Sequence, residues 1–495
     1  MDATMFDAFL AALAPASFGL TLFGVIFGLI FGMIPGLTAT LAVALLLPVT
    51  YGLAPAQGIT LLLGAYIGGI SGGVVSAVLL GLPGTPASIT SVFDGYPLAR
   101  QGKAGKALGI GALSNLVGTL FSWLVMLIMA PQLAKIALGF SALDITAVII
   151  FGLTTVISLS GDSVFRGMVA ASFGLLVCAI GIDPINGEPR LTMGFDILES
   201  GVNAIPAMIG LFVVGEIFVT IADPPPAVKE ISKFRQSFLT RTELRQSIPN
   251  FLRSGLIGAG IGILPGIGGS LANFVAYDQA KKASKEPETF GTGNIQGLIA
   301  PETANNASIG GALIPMLTLG IPGDVVTAVL MGGLQLHGID PGPLMFRDHP
   351  YIIDVVYINF FIAAIAMFLS MVFLGTRLFP MILRLPMRFI LPFVLVASTA
   401  GCYNMNTSMM DVWTALVFGV IGFFFKRFNI PAAPAVIGLI LGKMLEDNLR
   451  RTLVDTNGSL LPFLTSPIAA VFLLVAVGSI VYSLWQRSRA NPARQ

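Results

Sequence analysis

Residues 293–324, GNIQGLIAPETANNASIGGALIPMLTLGIPGD, crowd Glu302, Thr303, Asn305, Asn306 and Ser308 into a stretch otherwise apolar enough to lie at membrane depth. Carboxamides and hydroxyls buried there need partners, and polar groups inside a membrane are functional candidates by default. An asparagine can coordinate a cation through its carbonyl and donate to an anion through its NH2 group. Asn305 and Asn306 are therefore candidate ligands for an anionic substrate or a coupling ion, and Ser308 adds a hydroxyl to the ion set. Hydrogen bonding between helices is the structural alternative for the pair. Asp324, directly after Pro322 and Gly323, could cap a half-helix or join the ion set.

Of the chain's five Pro-Gly pairs, four concern the repeated unit: Pro35-Gly36, Pro83-Gly84, Pro265-Gly266 and Pro322-Gly323. Backbone groups left unpaired in hydrocarbon cost several kcal/mol each, so a membrane helix is interrupted only where protein or a water-filled cavity satisfies them. Proline removes a donor and glycine frees the chain to turn, so each pair predicts a break. Small and polar residues follow: Thr38 and Thr40; Thr85 and Ser88; Gly268, Gly269, Ser270 and Asn273; Asp324 and Thr327. A new helix starting there aims free N–H groups and its positive dipole end at the cavity, which suits a carboxylate. Gly36, Gly84, Gly266 and Gly323, with those small and polar residues, thus join Asn305 and Asn306 as candidate substrate-binding positions. Simple kinks and close helix packing are the alternative.

The elements that must carry these positions are transmembrane helices. Of 495 residues 55% are hydrophobic and 11% charged, against about 25% charged in soluble domains. Mean hydropathy is +0.88. Apolar runs close to the roughly 20 residues a spanning helix needs lie at 17–34, 107–130, 142–160, 164–181, 203–222, 351–375, 411–425 and 463–485. Strands of an outer-membrane barrel would instead alternate apolar and polar residues. The start, MDATMFDAFLAALAP, has acidic residues where a signal peptide needs basic ones, so it is read as mature sequence. Cys178 and Cys402 lie in apolar or small-residue surroundings, which argues against a disulfide framework or a thiolate metal site. A net charge of +2 gives no footprint for nucleic acid.

The chain repeats itself. Gly32, Pro35 and Gly36 recur 230 residues later as Gly262, Pro265 and Gly266; GLPG at 81–84 recurs after 239 residues as GIPG at 320–323; IPAMIGL from Ile205 recurs after 228 as APAVIGL from Ala433. Basic residues orient each copy, because they stay cytoplasmic. Lys229, Lys233, Arg235, Arg241 and Arg245 mark 223–250 as a cytoplasmic linker between a first repeat, 1–222, and a second, 251–495, with a short basic tail at Arg487, Arg489 and Arg494. Lys426 and Arg427 precede the helix that matches 203–222, so the two matching helices run oppositely. ARQGKAGK (Arg100, Lys103, Lys106) and KKASK from Lys281 are basic where their counterparts near 338–346 and Tyr51 are not. Opposite charge signatures on equivalent loops describe an all-α polytopic protein of two inverted-topology repeats with broken helices or re-entrant hairpins, an architecture common among secondary transporters. Arg450 and Arg451 run against this scheme.

Other chemistries fit poorly. GKAGK at 102–106 lacks the GxxxxGK[ST] pattern of a phosphate loop, so nothing points to ATP hydrolysis. An intramembrane aspartyl protease would use Asp278 and Asp324, but its second motif needs Gly where Ile321 stands, and duplication has no use in that chemistry. A channel is the third option, separated from a carrier by uphill, gradient-driven uptake. Asp278 precedes Lys281 and Lys282 and reads as an interfacial salt bridge. Glu216, Asp144 and Asp162 lack polar company and read as helix-end residues. His337 and His349 have no metal-ligand neighbours. Carbonyl and hydroxyl ligands lean toward Na+ rather than H+, since a proton carrier would show a clearly buried carboxylate.

GMIPGLTATLAVALLLPVTYGL, GLPGTPASITSVFDGYPLARQGKAGKALG, GILPGIGGSLANFVAYDQAKK and GLIAPETANNASIGGALIPMLTLGIPGD closely resemble the large membrane subunit of the tripartite tricarboxylate transporters, the TctA family. The resemblance spans nearly the whole chain. It implies a multi-pass permease of the bacterial inner membrane that works with a small TctB-like membrane subunit and a TctC-like periplasmic binding protein. It implies di- or tricarboxylate substrates such as citrate, or other organic acids, driven by Na+ or H+, with no cofactor beyond that ion. An elevator motion follows by analogy with other inverted-repeat carriers.

Overall fold

Prolines alone do not break these helices. Pro48, Pro97, Pro131, Pro249, Pro301 and Pro315 all sit inside helical segments, whereas the four Pro-Gly pairs lie in non-helical ones. The computed structural model describes residues 3–159, 163–183, 186–224, 235–266, 268–375, 378–383, 385 and 387–490. Asp162, Lys229, Lys233 and Arg494 lie outside them. Glycine decides the breaks because the chain turns through left-handed backbone there: Gly36 has φ +93° and Gly266 φ +81°. The helices feeding the other two breaks end at Gly81 and Gly320, each with φ +69°. A side chain at such a φ costs about 1–2 kcal/mol.

The first set of broken helices runs Pro15–Met33, Ala39–Thr50, Pro55–Leu80, then a single turn Pro86–Ser88 leading into Ile89–Leu98. The second runs Arg241–Gly262, Gly268–Lys282, Ile295–Leu319 and Val325–Leu336. The long helices Ala104–Ala137 and Pro350–Leu374 follow their respective sets. Each of these packs on a helix of the other set, Ala104–Ala137 on Ile295–Leu319 and Pro350–Leu374 on Pro55–Leu80. Outside this body lie Ala142–Leu159, Val164–Cys178, the helix over 204–222, and Met387–Asn406, Met409–Arg427, Ala432–Asp455 and Pro467–Ala490.

Within each set the first helix lies on the third at glycine contact distance. A Cβ at Gly28 would run into the Ala65 carbonyl and one at Gly32 into that of Gly69; a Cβ at Gly258 would meet the carbonyl of Ala304 and one at Gly262 that of Ser308. Gly84 lies against Gly73, and Gly323 against Ala312. These contacts recur at the 230- and 239-residue offsets of the sequence. Backbones come this close only where residues are small, so dispersion over a long seam replaces the hydrophobic drive that lipid does not supply.

Among the described residues, seven helices are long and apolar enough to cross a membrane. Pro55–Leu80 and Met387–Asn406 are among them although neither stood among the plainest apolar runs, and the runs at 142–160, 164–181 and 463–485 emerge as shorter apolar helices. The central helices Pro55–Leu80 and Ile295–Leu319 are buried along almost their whole length. Phe373, Phe389, Phe393, Trp413 and Val417 stand exposed, as a lipid-facing surface requires. The chain is a multi-pass membrane protein.

Three polar segments meet at one end. Lys106 Nζ lies 2.5 Å from Glu243 Oε1, Ser237 N donates to the Gly105 carbonyl at 3.2 Å, and Gln101 Nε2 donates to the Thr292 carbonyl at 2.7 Å. The capping box of Thr240 and Glu243 starts a helix at Arg241, inside the polar stretch 223–250. Elsewhere a short antiparallel ribbon pairs Gly181 with Arg190. Arg190 reaches Glu446 at 2.6 Å, and Arg450 reaches Asp183 at 2.8 Å and Glu446 at 2.6 Å. Arg450, the cation at odds with the charge scheme, is thus held in an ion-pair network.

Candidate functional site

Helix Ile295–Leu319 starts where the Asn294 side chain accepts from Gln296 N at 2.7 Å. Its two asparagines have opposite environments, although both are 0% exposed. Asn306 is saturated: Oδ1 accepts from Ser71 Oγ at 2.6 Å and Thr119 Oγ1 at 3.3 Å, while Nδ2 donates to Asn115 Oδ1 at 2.8 Å and the Glu302 carbonyl at 3.2 Å. Asn305 has no hydrogen-bond partner on either Oδ1 or Nδ2 among the described residues. A buried polar group left so loses roughly 1–3 kcal/mol, which a ligand would return.

Asn305 lies on a seam where three elements meet in successive rungs. On the first, Gly269 faces Asn305 and Ser308 so closely that a Cβ there would sit 2.5 Å from Asn305 Oδ1 and 2.9 Å from Ser308 Oγ. One helical turn on, Asn273 Nδ2 donates to the Ala87 carbonyl and Ser91 Oγ donates to Glu302 Oε1. On the third, Tyr277 Oη donates to Asp94 Oδ2 at 2.9 Å, and Asp94 Oδ1 accepts from the N–H groups of Gly291, Gly293 and Asn294 at 2.9, 2.9 and 2.7 Å. Asp94 is thus a fully partnered buried carboxylate that ties the loop before Ile295 to helix Ile89–Leu98. Asp94 and Glu302, both at 0% exposure, correct the expectation that no carboxylate would be clearly buried.

Thr85 and Ser88 form a capping box at the head of this seam, with Thr85 N donating to Ser88 Oγ at 3.1 Å. Helix Gly268–Lys282 begins on the same seam, with Ser270 half-buried in its first turn. Gly269, Asn273, Asn305 and Ser308 are therefore brought together, with Thr85 and Ser88 in the capped turn whose Ala87 carbonyl holds Asn273, Gly84 before that turn against Gly73, and Gly268 and Ser270 at the adjoining helix end.

A second composite polar junction forms at Asp324. Asp324 caps Val325–Leu336 by accepting from Thr327 N at 2.7 Å and Thr327 Oγ1 at 2.8 Å, and its Oδ2 accepts from Tyr66 Oη at 2.6 Å. The capping reading holds, with a link to Tyr66 that apolar neighbours had hidden. Gly266 N donates to the Gly323 carbonyl at 2.8 Å, and Gly268 lies against Asp324, so both breaks of the second set touch. Helix Ala39–Thr50 packs on Val325–Leu336. Thr38 caps it by accepting from Leu41 N at 3.2 Å. Gly36 is exposed, and Thr38 and Thr40 open on a separate cavity of about 310 Å3 with Glu216 and Lys426. Those three are not brought to Asn305.

Glu216 and Asp144 do not lack polar company, contrary to the sequence reading. Lys426 Nζ lies 2.5 Å from Glu216 Oε2; Asp144 accepts from Ser141 Oγ at 2.7 Å and Ser466 Oγ at 2.8 Å. Partners that come from remote segments are invisible to local sequence. Asp278 pairs with Lys282 at 2.6 Å, as read. Tyr66 stands 239 residues before Asn305, so the repeat offset itself was the signal that would have found it.

Residues 18–437 match the tripartite tricarboxylate transporter TctA family. The chain belongs to that family. TctA chains are transporter components rather than enzymes, and this one is the membrane component of a tripartite tricarboxylate transporter. It is 35% identical over 484 residues to an uncharacterized 52.8 kDa protein of the TAR-I ttuC′ 3′ region of Agrobacterium vitis, covering 98% of this chain and 96% of the relative. An uncharacterized protein of the TAR-II ttuC′ 3′ region of the same organism is 35% identical over 235 residues, 47% of this chain and 96% of that protein. No solved structure matches the TctA chain.

Proposed function

We propose that this chain is the permease that carries a di- or tricarboxylate across the bacterial inner membrane by cation symport, receiving it from a periplasmic binding protein and assembled with a small membrane subunit. The observation that carries this reading is the wholly buried carboxamide of Asn305, unpartnered among the described residues, beside two helix starts, at Thr85 to Ser88 and at Gly268. Its NH2 group and the helix N–H groups offer donors to one carboxylate without burying an arginine. Asp324 occupies the repeat-equivalent position of Thr85 and already supplies a negative charge to its own helix start, so an anion is disfavoured there. Gly36, Thr38 and Thr40 fit a path or a scaffold contact better than this pocket.

Inverted repeats supply a reason for two such pockets, and the recurring glycine contacts support them. The broken helices would then move against the outer helices as one body. Radiolabelled organic-acid uptake in vesicles holding both partners, under a Na+ gradient and under a pH gradient, tests the reading. Uphill uptake is expected in wild type and its loss in Asn305→Ala; uptake in that variant at the wild-type rate would contradict it.

A further inference from the structure

Glu302 is the residue the carrier reading leaves without a task. It is 0% exposed, its Oε1 accepts one hydroxyl bond from Ser91, and its Oε2 has no partner among the described residues. A carboxylate removed from water with one neutral donor lacks what an ionised group needs. Asp94, on the neighbouring rung, shows what a satisfied one looks like, with four donors. No lysine or arginine contact to Glu302 is present among the described residues, and Arg253 of the adjoining helix bonds Asn250 instead.

The unpartnered atoms around Glu302 include oxygens that accept, beside the Asn305 Nδ2 donor. Among the described residues, Asn273 Oδ1 and Asn305 Oδ1 are both fully buried without a donor, and so is the hydroxyl of Thr90, next to Ser91 in the chain. Asn305 lies one turn from Glu302 on the same helix, and Ala87, which holds Asn273, lies one turn from Ser91, which holds Glu302. A proton would satisfy the carboxyl and a single acceptor. A metal cation would satisfy the carboxyl and both carbonyl oxygens together. The one carboxylate matches one positive charge rather than two, and no trio of His, Cys, Asp or Glu among the described residues offers a transition-metal site.

We infer that Glu302, Asn273 and Asn305, with the hydroxyls of Ser91 and Thr90, form a Na+ site beside the substrate pocket. The inference rests on the carrier reading for its purpose: an anion can enter next to Glu302 only when a cation neutralises it, which makes uptake obligatorily coupled. It displaces Asp324, Asn306 and Ser308 as the principal ion ligands, since Asp324 and Asn306 are already saturated and Ser308 Oγ donates to the Asn305 carbonyl.

The test is 22Na+ binding to the purified full chain in lipid nanodiscs, without partners or substrate. Wild type is expected to bind Na+ saturably, with K+ and choline failing to compete, and Glu302→Gln and Asn273→Ala to weaken binding by at least about tenfold. Where Glu302→Gln does not fold, Asn273→Ala and Thr90→Ala carry the comparison. Absence of 22Na+ binding in wild type, equal competition by K+, or wild-type binding in the folded variants would overturn the site. Acid uptake driven by a pH gradient in protein that binds no Na+ would sink this site and leave the carrier standing. Na+ binding without any acid uptake would do the reverse.

Discussion

The pocket at Asn305 and the pocket at Asp324 are built from corresponding pieces and end in opposite states. Each joins a helix start after one break to a capped turn after another, with a third side chain reaching in from a central helix. At Asp324 that third side chain is Tyr66, which closes the pocket with a hydrogen bond. At Thr85 the corresponding residue is Asn305, whose side chain has no hydrogen-bond partner among the described residues. On the proposed reading duplication supplied two frames, and the charge of one capping residue decides which frame can receive an anion. Both helix starts carry a capping box, but the one at Asp324 is made with a carboxylate and the one at Thr85 and Ser88 with hydroxyls alone.

The largest effect is expected from removing the floor of the open pocket. Asp94→Ala strips three backbone N–H groups and the Tyr277 hydroxyl of their acceptor, and should cost about 3–5 kcal/mol, read as a lowered Tm in detergent. An unchanged Tm would mean the rungs are not what holds the seam. Next come the neighbouring asparagines, which should separate. Asn305→Ala is expected to lower kcat/KM for uptake by about 2 kcal/mol, roughly 30-fold, with Tm near wild type. Asn306→Ala should chiefly lower Tm, since it leaves Ser71, Thr119 and Asn115 short of a partner. A swap of those two phenotypes would exchange the roles assigned to them.

Tyr66→Phe should open the closed pocket at a cost of about 1 kcal/mol in stability, shifting KM for substrate less than about threefold. A large rise in KM would make the two pockets functionally alike. The smallest effect lies away from both. Lys106 beside Glu243, with Thr240 behind it, holds that carboxyl below its ordinary value of 4.5. Its stabilisation is therefore present above the unfolded value and lost as pH falls through the lower folded one. It should amount to under about 1 kcal/mol, and Glu243→Gln should flatten only that acid limb of the Tm profile.

Much of this was legible in the sequence, because membrane helices announce themselves by composition and Pro-Gly pairs by backbone need. The breaks at Pro35, Pro83, Pro265 and Pro322 fall where the residues require them, and Pro301 and Pro315, without a following glycine, stay helical. What stayed hidden depended on pairing across long separations. Asn305 and Asn306 are adjacent and identical in type, and only the surrounding helices make one a bolt and the other an open ligand. Likewise Glu302 and Asp94 look alike as lone acids in apolar runs, and their donors come from segments remote in the chain.

The claim that one capping charge separates the two pockets is tested most directly by placing that charge in the open one. Thr85→Asp keeps a good N-cap, so folding should survive. Measured as initial uptake of radiolabelled organic acid in vesicles with both partners, the variant is expected to fall at least about 100-fold below wild type while reaching the membrane normally. Uptake at the wild-type rate would contradict the account.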